Sequence, residues 1–420
     1  MLLSSLLSLS FLSFQPPPSS PCQGPLSRDK VVACARAASP RIALDRLRVG
    51  VAEARRESAR IILPANPVLS ASVSHRANTT GQQAVNATGT LSQEIEVGGQ
   101  RRRRRDVANR RVEQAERGIA VSERDVTAEA LHAYFDVLAA QAEAKLIERS
   151  LQTARALVEV ARERAAAGIG APIDIDLAAA ERTRTEEQAA LARGRIAVAS
   201  TQLATLIGLD PDRGLPEVRG ELRPFPVEGP GGTRGAQARQ NRPELAVADA
   251  QRKTQQAELR LLKRRRLPNP SLSFFVQRDG FDERVIGGGL SLPLPLPAPL
   301  GRVRKGEIAA TRARIAEADA QRSATQRTVT MEAAIAQRTY TARRDAVSVY
   351  PPEVIEPAQQ TLQDLVEQSE SGRLPVRDAL VAQQALQDML LRAIHARHAL
   401  ATASVELAHA SGQPFEGGGQ

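Results

Sequence analysis

The feature that most limits what this chain can fold into is an internal repeat of very long period. "LPANPVLSASVS" starts at Leu63 and "LPNPSLSFFVQ" at Leu267, 204 residues apart. "ERAAAGIGAPIDIDLAAAE", holding Gly168 and Asp174, is answered at the same offset by "EQSESGRLPVRDALVAQQ", holding Gly372 and Asp378. Two Pro-containing motifs repeated in one order and one register imply two structural halves. The expected division is a signal segment over 1–22, a first repeat over 23–235, a second over 236–412 and a flexible tail over 413–420. Each half reads as a helix, two strands with a polar link, a very long helix, a short Gly/Pro turn and a return helix. The leading helices are "RDKVVACARAASPRIALDRLRVGVAEARRESARIIL" and "RPELAVADAQRKTQQAELRLLKRRR".

The strands alternate. Leu69, Ala71 and Val73 interleave with serines, and Leu91, Ile95 and Val97 with Ser92, Glu94 and Glu96. Leu272, Phe274 and Val276 share one face, as do Leu290, Leu292, Leu294 and Leu296. Such a period puts apolar groups on one side and polar groups on the other. It suits a half-buried hairpin pair, or strands of about 10 residues with lipid outside and water inside. In lipid an open sheet leaves its edges unsatisfied, so four strands would have to be pooled with those of other chains. Pro293, Pro295 and Pro297 end regular pairing in the fourth strand. The link "ANTTGQQAVNATG" reads as a polar loop and "RDGFDER" as a short charged one.

The long helices are expected over 101–166 and 302–370, each on the order of 100 Å at 1.5 Å per residue. Their composition supports this: Ala, Arg, Glu, Gln and Leu dominate, aromatics are only 3% and Trp is absent, so large globular cores lack anchors. A mostly small stripe (Val112, Ala115, Ile119, then Leu131, Phe135, Leu138, Ala142, Leu146) allows close helix–helix packing. Periodicity alone leaves a solvent-exposed coiled-coil hairpin open as well. "VYPPEVIEP", with Pro351, Pro352 and Pro357, predicts a break in the second long helix.

Leu2 to Phe14 have signal-peptide length and precede a Pro/Ser-rich exit, although a charged n-region is missing. Cys22 stands where a lipoprotein cysteine could stand, but Pro21 is a poor neighbour for a cleavage point; acylation and an inert thiol are the alternatives. Two cysteines, Cys22 and Cys34, are too few for a disulfide framework. No apolar run reaches the roughly 20 residues of a membrane-spanning helix.

Together, "NPVLSASVS" with "NPSLSFFVQ", "LSQEIEVGGQRRRRRDVA", "LSLPLPLPAPLGRVRKGEIAATRARIAEA" and the turns "GIGAPIDIDLAAAE" and "GRLPVRDALVAQQ" resemble the TolC-like outer membrane efflux protein family, in particular its heavy-metal and multidrug branch. The resemblance covers nearly the whole chain, from Asp29 to Gly412. It implies a mainly α fold with a small β part. Long helical hairpins would form a trimeric periplasmic α-barrel, and four strands per chain would join a pooled twelve-stranded outer-membrane β-barrel. It implies a homotrimer that is a conduit and not an enzyme, without cofactor. Its partners would be a periplasmic adaptor, an inner-membrane transporter and outer-membrane lipid. Gly168, Ile169, Gly170 and Pro172, with Gly372, Arg373, Leu374 and Pro375, would form the periplasmic tip where adaptors dock. Asp174, Asp176 and Asp378 are candidates for a pore constriction. A second acidic residue found in some members three places after the last is here Val381. A carboxylate ring would attract cations in a narrow pore, while an Asp in a first helical turn also complements the helix dipole. Gly168 and Gly372 equally suit ordinary helix ends.

Arg101, Arg102, Arg103, Arg104 and Arg105, with Arg302, Arg304 and Lys305 in the second half, follow a strand pair and open a long helix. The run and the net charge of +10 (57 basic, 47 acidic) first suggest a nucleic-acid patch. Without interleaved aromatics or a recognised binding fold, a membrane boundary is the better reading, with basic groups meeting lipid phosphate. Cations are unfavourable at a helix N-terminus, which implies something anionic nearby.

His395 and His398 could present two ligands on one helix, but no third ligand is placed with them, and a surface pair is the better reading. No nucleophile constellation or phosphate-cradling loop is present; the "GGGL" at Gly287 falls inside a strand. The function expected is an exit duct of a tripartite efflux pump, the alternative a periplasmic coiled-coil adaptor or scaffold without a pore.

Overall fold

A computed structural model of the chain describes residues 22, 24–77, 81, 83–210, 212, 214, 216–227, 234–278, 280, 283–296 and 304–415. The expected signal segment therefore lies, but for Cys22, outside the described residues, and so do Arg302 and Pro297.

The first half runs α1 (Arg28–Ala38), α2 (Pro40–Ser58), β1 (Val68–Ala77), β2 (Gln83–Glu94), α3 (Gln100–Ala166) and α4 (Pro172–Leu206). The second runs α5 (Arg234–Asn241), α6 (Pro243–Arg264), β3 (Ser271–Arg278), β4 (Arg284–Ser291), α7 (Lys305–Val347), α8 (Pro352–Glu370) and α9 (Val376–Ser411). The leading helix expected in the first half is two helices. Ser39 is extended and Pro40 opens α2, since proline suits a first helical position but not an interior. Arg242 and Pro243 make the same step in the second half. The long helix of the first half is unbroken over 67 residues. Its counterpart breaks before Pro352, as the proline cluster predicts, while Pro357 is tolerated inside α8.

The strands form one antiparallel sheet in the order β1-β2-β3-β4, so the hairpins of the two halves join through β2 and β3. Register fixes the faces. Leu69 lies opposite Leu91, Leu91 opposite Phe274, Leu272 opposite Leu290 and Val276 opposite Ile286. These residues form a continuous apolar face that is open to the surroundings, with Leu69 77% and Leu290 69% exposed. The reverse face carries Ser70, Ser72, Thr88, Thr90, Ser92, Ser273 and Gln277. Phe275 is the exception, and its ring covers Gly287 of β4, where a Cβ would collide with it. β2 begins at Gln83, so most of "QQAVNATG" is strand and not the expected loop. Its small residues Ala84, Ala87 and Gly89 weaken the alternation that would have marked it.

Below the sheet, α2, α3, α6 and α7 stand side by side in the order of the strands they join. The main core lies halfway down α3. There Leu131 and Phe135 meet Leu26 and Ile42, Leu203 of α4, Val405 of α9 and Phe225 of the 216–227 segment. A disulfide joins the buried Cys22 and Cys34, so it pins a point six residues ahead of α1 to α1 itself. Two cysteines thus make one staple where no framework was expected.

Each half closes on a left-handed glycine, Gly208 (φ 71°) and Gly412 (φ 84°), again 204 residues apart. A Cβ on Gly208 would strike the Ala38 carbonyl at the end of α1, and one on Gly412 would come 2.7 Å from the Asn241 Cβ at the end of α5. This pair is a third repeated feature. "LIGLDP" and "HASGQP" share too little side chain to announce it.

Candidate functional site

The α3–α4 and α8–α9 turns lie together at the end of the molecule away from the sheet. They close alike but not identically. Gly168 (φ 75°) and Gly372 (φ 73°) are both left-handed. In the first turn the Ile169 N–H reaches back to the Arg164 carbonyl at 2.9 Å, the Schellman closure, which satisfies a carbonyl the helix end would otherwise leave free. In the second the closing bond is one residue wider, from the Leu374 N–H to the Gln368 carbonyl at 3.0 Å. Pro172 then opens the first return helix and Pro375 is the N-cap of the second. The Arg164 guanidinium of the first hairpin donates to the Ser369 carbonyl of the second at 3.0 Å. Leu157, Val160, Ala178, Val376 and Ala379 pack beneath the turns. Above them Ile169, Arg373 and Pro375 are exposed, Gly170 and Leu374 half-buried.

The three aspartates differ. Asp174 accepts from Arg377 of α9 at 3.4 Å. Asp176 and Asp378 are exposed. Neither Asp174 nor Asp378 makes a side-chain cap, so any helix-end role is through the dipole.

At the other end of the helices the arginine run divides. Arg101 donates to the Arg60 carbonyl at 2.9 Å and Arg104 to the Ile61 carbonyl at 2.9 Å, and Arg104 also pairs with Glu96. For these two the neighbours are the carbonyls just past the end of α2, and for Arg104 the anion that the sequence called for is Glu96. Arg102 and Arg105 are exposed, Arg103 is half-buried, and none of the three has an ion pair among the described residues. Arg304 caps α7 and pairs with Glu307 at 2.9 Å, while Lys305 is exposed.

Histidines missed as a group link α3 to α9. His132 pairs with Glu406 at 2.8 Å, His395 with Glu143 at 2.9 Å, His398 with Asp136 at 2.7 Å and His409 with Asp125 at 3.0 Å. Each of the His395–His398 pair thus has its own carboxylate, and no group of three metal ligands forms among the described residues. The neighbouring His132 imidazole holds the Glu406 carboxyl below the usual range. Burial pushes Asp125 up, but His409 and the nearby charges of Arg41 and Arg242 outweigh it and leave Asp125 lowered. No helix of the described residues is long and apolar enough to cross a membrane.

Residues 31–209 match the family model for outer membrane efflux proteins. No protein of curated function matches the sequence. Among solved structures, the chain is similar to the outer-membrane channel OprN, with TM-score 0.73 and 19% identity over 93% of this chain and 91% of that one. It is similar to VceC of Vibrio cholerae, with TM-score 0.71 and 19% identity over 92% and 96%. It is also similar to the open state of the MtrE channel of Neisseria gonorrhoeae, with TM-score 0.71 and 17% identity over 92% and 89%. The family-model match spans most of the first repeat, and the fold shared with these channels runs through the second.

Proposed function

We propose that this protein is the outer-membrane exit duct of a tripartite efflux pump, a passive conduit and not an enzyme. The observation that carries the reading is the sheet. One face is apolar and exposed, the other is polar, and β1 and β4 each keep one unpaired edge among the described residues. In hydrocarbon such edges must be satisfied by closure. Three chains contributing four strands each make a closed barrel with the apolar face in lipid and a wet lumen.

The helices then extend into the periplasm, and the tip turns at Gly168–Pro172 and Gly372–Pro375 receive an adaptor that links the duct to an inner-membrane transporter. Asp174, Asp176 and Asp378 border the mouth. Arg102, Arg103 and Arg105 stand at the membrane boundary. The disulfide favours a structural role for Cys22 over acylation, since a sulfur bonded to Cys34 has no valence for a lipid thioether. The two-repeat division follows the element order, with each repeat supplying one strand hairpin and one tip.

Membrane fractionation with unboiled SDS electrophoresis tests the reading. A heat-modifiable trimer in the outer membrane is expected. A monomer confined to the soluble fraction would favour the adaptor alternative and contradict the duct.

A further inference from the structure

Beneath the sheet, all four helices of the upper wall line one cavity of about 610 Å³. A recess above it is lined by Glu94 and Ser271, which belong to the polar face of the sheet, and the two share Ser58, Arg104 and Arg265. The cavity therefore opens on the polar side of the sheet, the lumen side if the protein is a duct. Its walls are unequal in charge. Arg104 and Arg111 are neutralised by Glu96 and Glu258, and Glu307 is taken up by Arg304. The guanidinium groups of Arg55 of α2, Arg265 beyond α6 and Arg314 of α7 have no carboxylate partner and no hydrogen bond among the described residues. The floor between them is small and apolar, formed by Ala52, Val107, Ala108, Leu261 and Ala310.

We propose that this cavity is a binding station for organic anions, carboxylates or oxyanions that carry an apolar body, on their way through the lumen. The inference rests on the duct reading and adds the class of cargo. Guanidinium groups hold carboxylate and oxyanion oxygens by paired N–H donors. The apolar floor takes the body of the solute. Three unneutralised charges per chain, repeated around a trimer, focus a positive potential in a low-dielectric wall and raise the local anion concentration. The charges come from helices of both repeats, so the station exists only when the two halves are assembled. In the duct reading lipid lies against the apolar face of the sheet, so a membrane-boundary role does not account for charges on its polar side.

Reversal potentials of the purified full-length trimer in planar bilayers, under a KCl gradient, test the proposal. The wild type is expected to favour chloride. The R55Q/R265Q/R314Q variant is expected to lower the chloride-to-potassium permeability ratio about tenfold, the low end of what field focusing in a charged cleft supplies. A K263Q/R312Q variant removes two exposed charges of the same helices that do not line the cavity, and its ratio should match the wild type. Addition of benzoate should block chloride current in the wild type and less in the triple variant. An unchanged ratio in the triple variant, or an equal fall in both variants, overturns the station while leaving the duct intact. Folded trimers that pass no current at all overturn the duct reading and the station with it.

Discussion

Arg377 of α9 reaches Asp174 of α4 at 3.4 Å, so the first helical turn of one tip holds the first helical turn of the other. The pair joins positions that descend from different repeats. With Arg377 60% and Asp174 20% exposed, it is worth little to folding, on the order of 0.2–1 kcal/mol. It lies above the apolar cluster that packs the two hairpins together, at the mouth in the duct reading, so its effect is expected on passage more than on stability. Asp174→Ala and Arg377→Ala are expected to increase single-channel conductance while the thermal midpoint stays nearly fixed. Equal conductance in wild type and both variants would contradict a latch.

The tip turns need their glycines for conformation, and the docking role proposed for them needs their exposure. Gly168→Ala places a side chain at φ 75° and should cost about 1 kcal/mol through left-handed strain. Gly372→Glu or Leu374→Glu should impair export in a cell-based resistance assay without lowering the amount of outer-membrane trimer. Normal export in both Glu variants would refute the docking role.

Gly208 and Gly412 should be less tolerant than the tip glycines, because a Cβ there meets neighbouring chain as well as left-handed backbone. Substitution by Ala is expected to cost roughly 2 kcal/mol or more, beyond the strain alone, since the ends of α4 and α9 would have to move off α1 and α5. Thermal melts of the solubilised trimer check this. Gly208→Ala with a smaller loss than Gly168→Ala would contradict the packing argument.

Acid should loosen the packing where α3 meets α9 and α6. Asp125, Glu244 and Glu406 all titrate below the usual carboxylate range in the fold, Glu244 because the Arg242 guanidinium outweighs its burial. A lowered folded value means that the stabilisation is present above the unfolded value, about 4, and is lost as pH falls through the lower folded one. The melting temperature is expected to drop between about pH 4.5 and pH 3, and Glu406→Gln should flatten part of that drop. A midpoint that stays level across this interval would contradict it.

Much of this architecture is legible in the sequence because it is written in local signals. Gly168 and Gly372 mark turns by backbone chemistry, Pro351 and Pro352 mark a helix break, and Leu69 to Val73 mark a strand by alternation. Where the signal is weak, the reading fails locally: Val85, Ala87 and Gly89 form too shallow an apolar face to separate a strand from a loop. Tertiary partners leave no local trace at all. Nothing near His398 in the chain points to Asp136, and nothing near Arg101 points to the Arg60 carbonyl. The basic cavity is hidden for the same reason, since Arg55, Arg265 and Arg314 become neighbours only when the helices of the two repeats stand side by side.

The central claim is that the open sheet of one chain closes only with the sheets of its copies, β4 of one protomer beside β1 of the next. Cysteine pairing across that seam tests it most directly. With Ser291→Cys on β4 and single cysteines stepped through Leu69 to His75 on β1, the account predicts disulfide-linked dimers and trimers in outer membranes, strongest at alternate β1 positions. Monomers at every position, with trimers otherwise absent from the membrane, would contradict it.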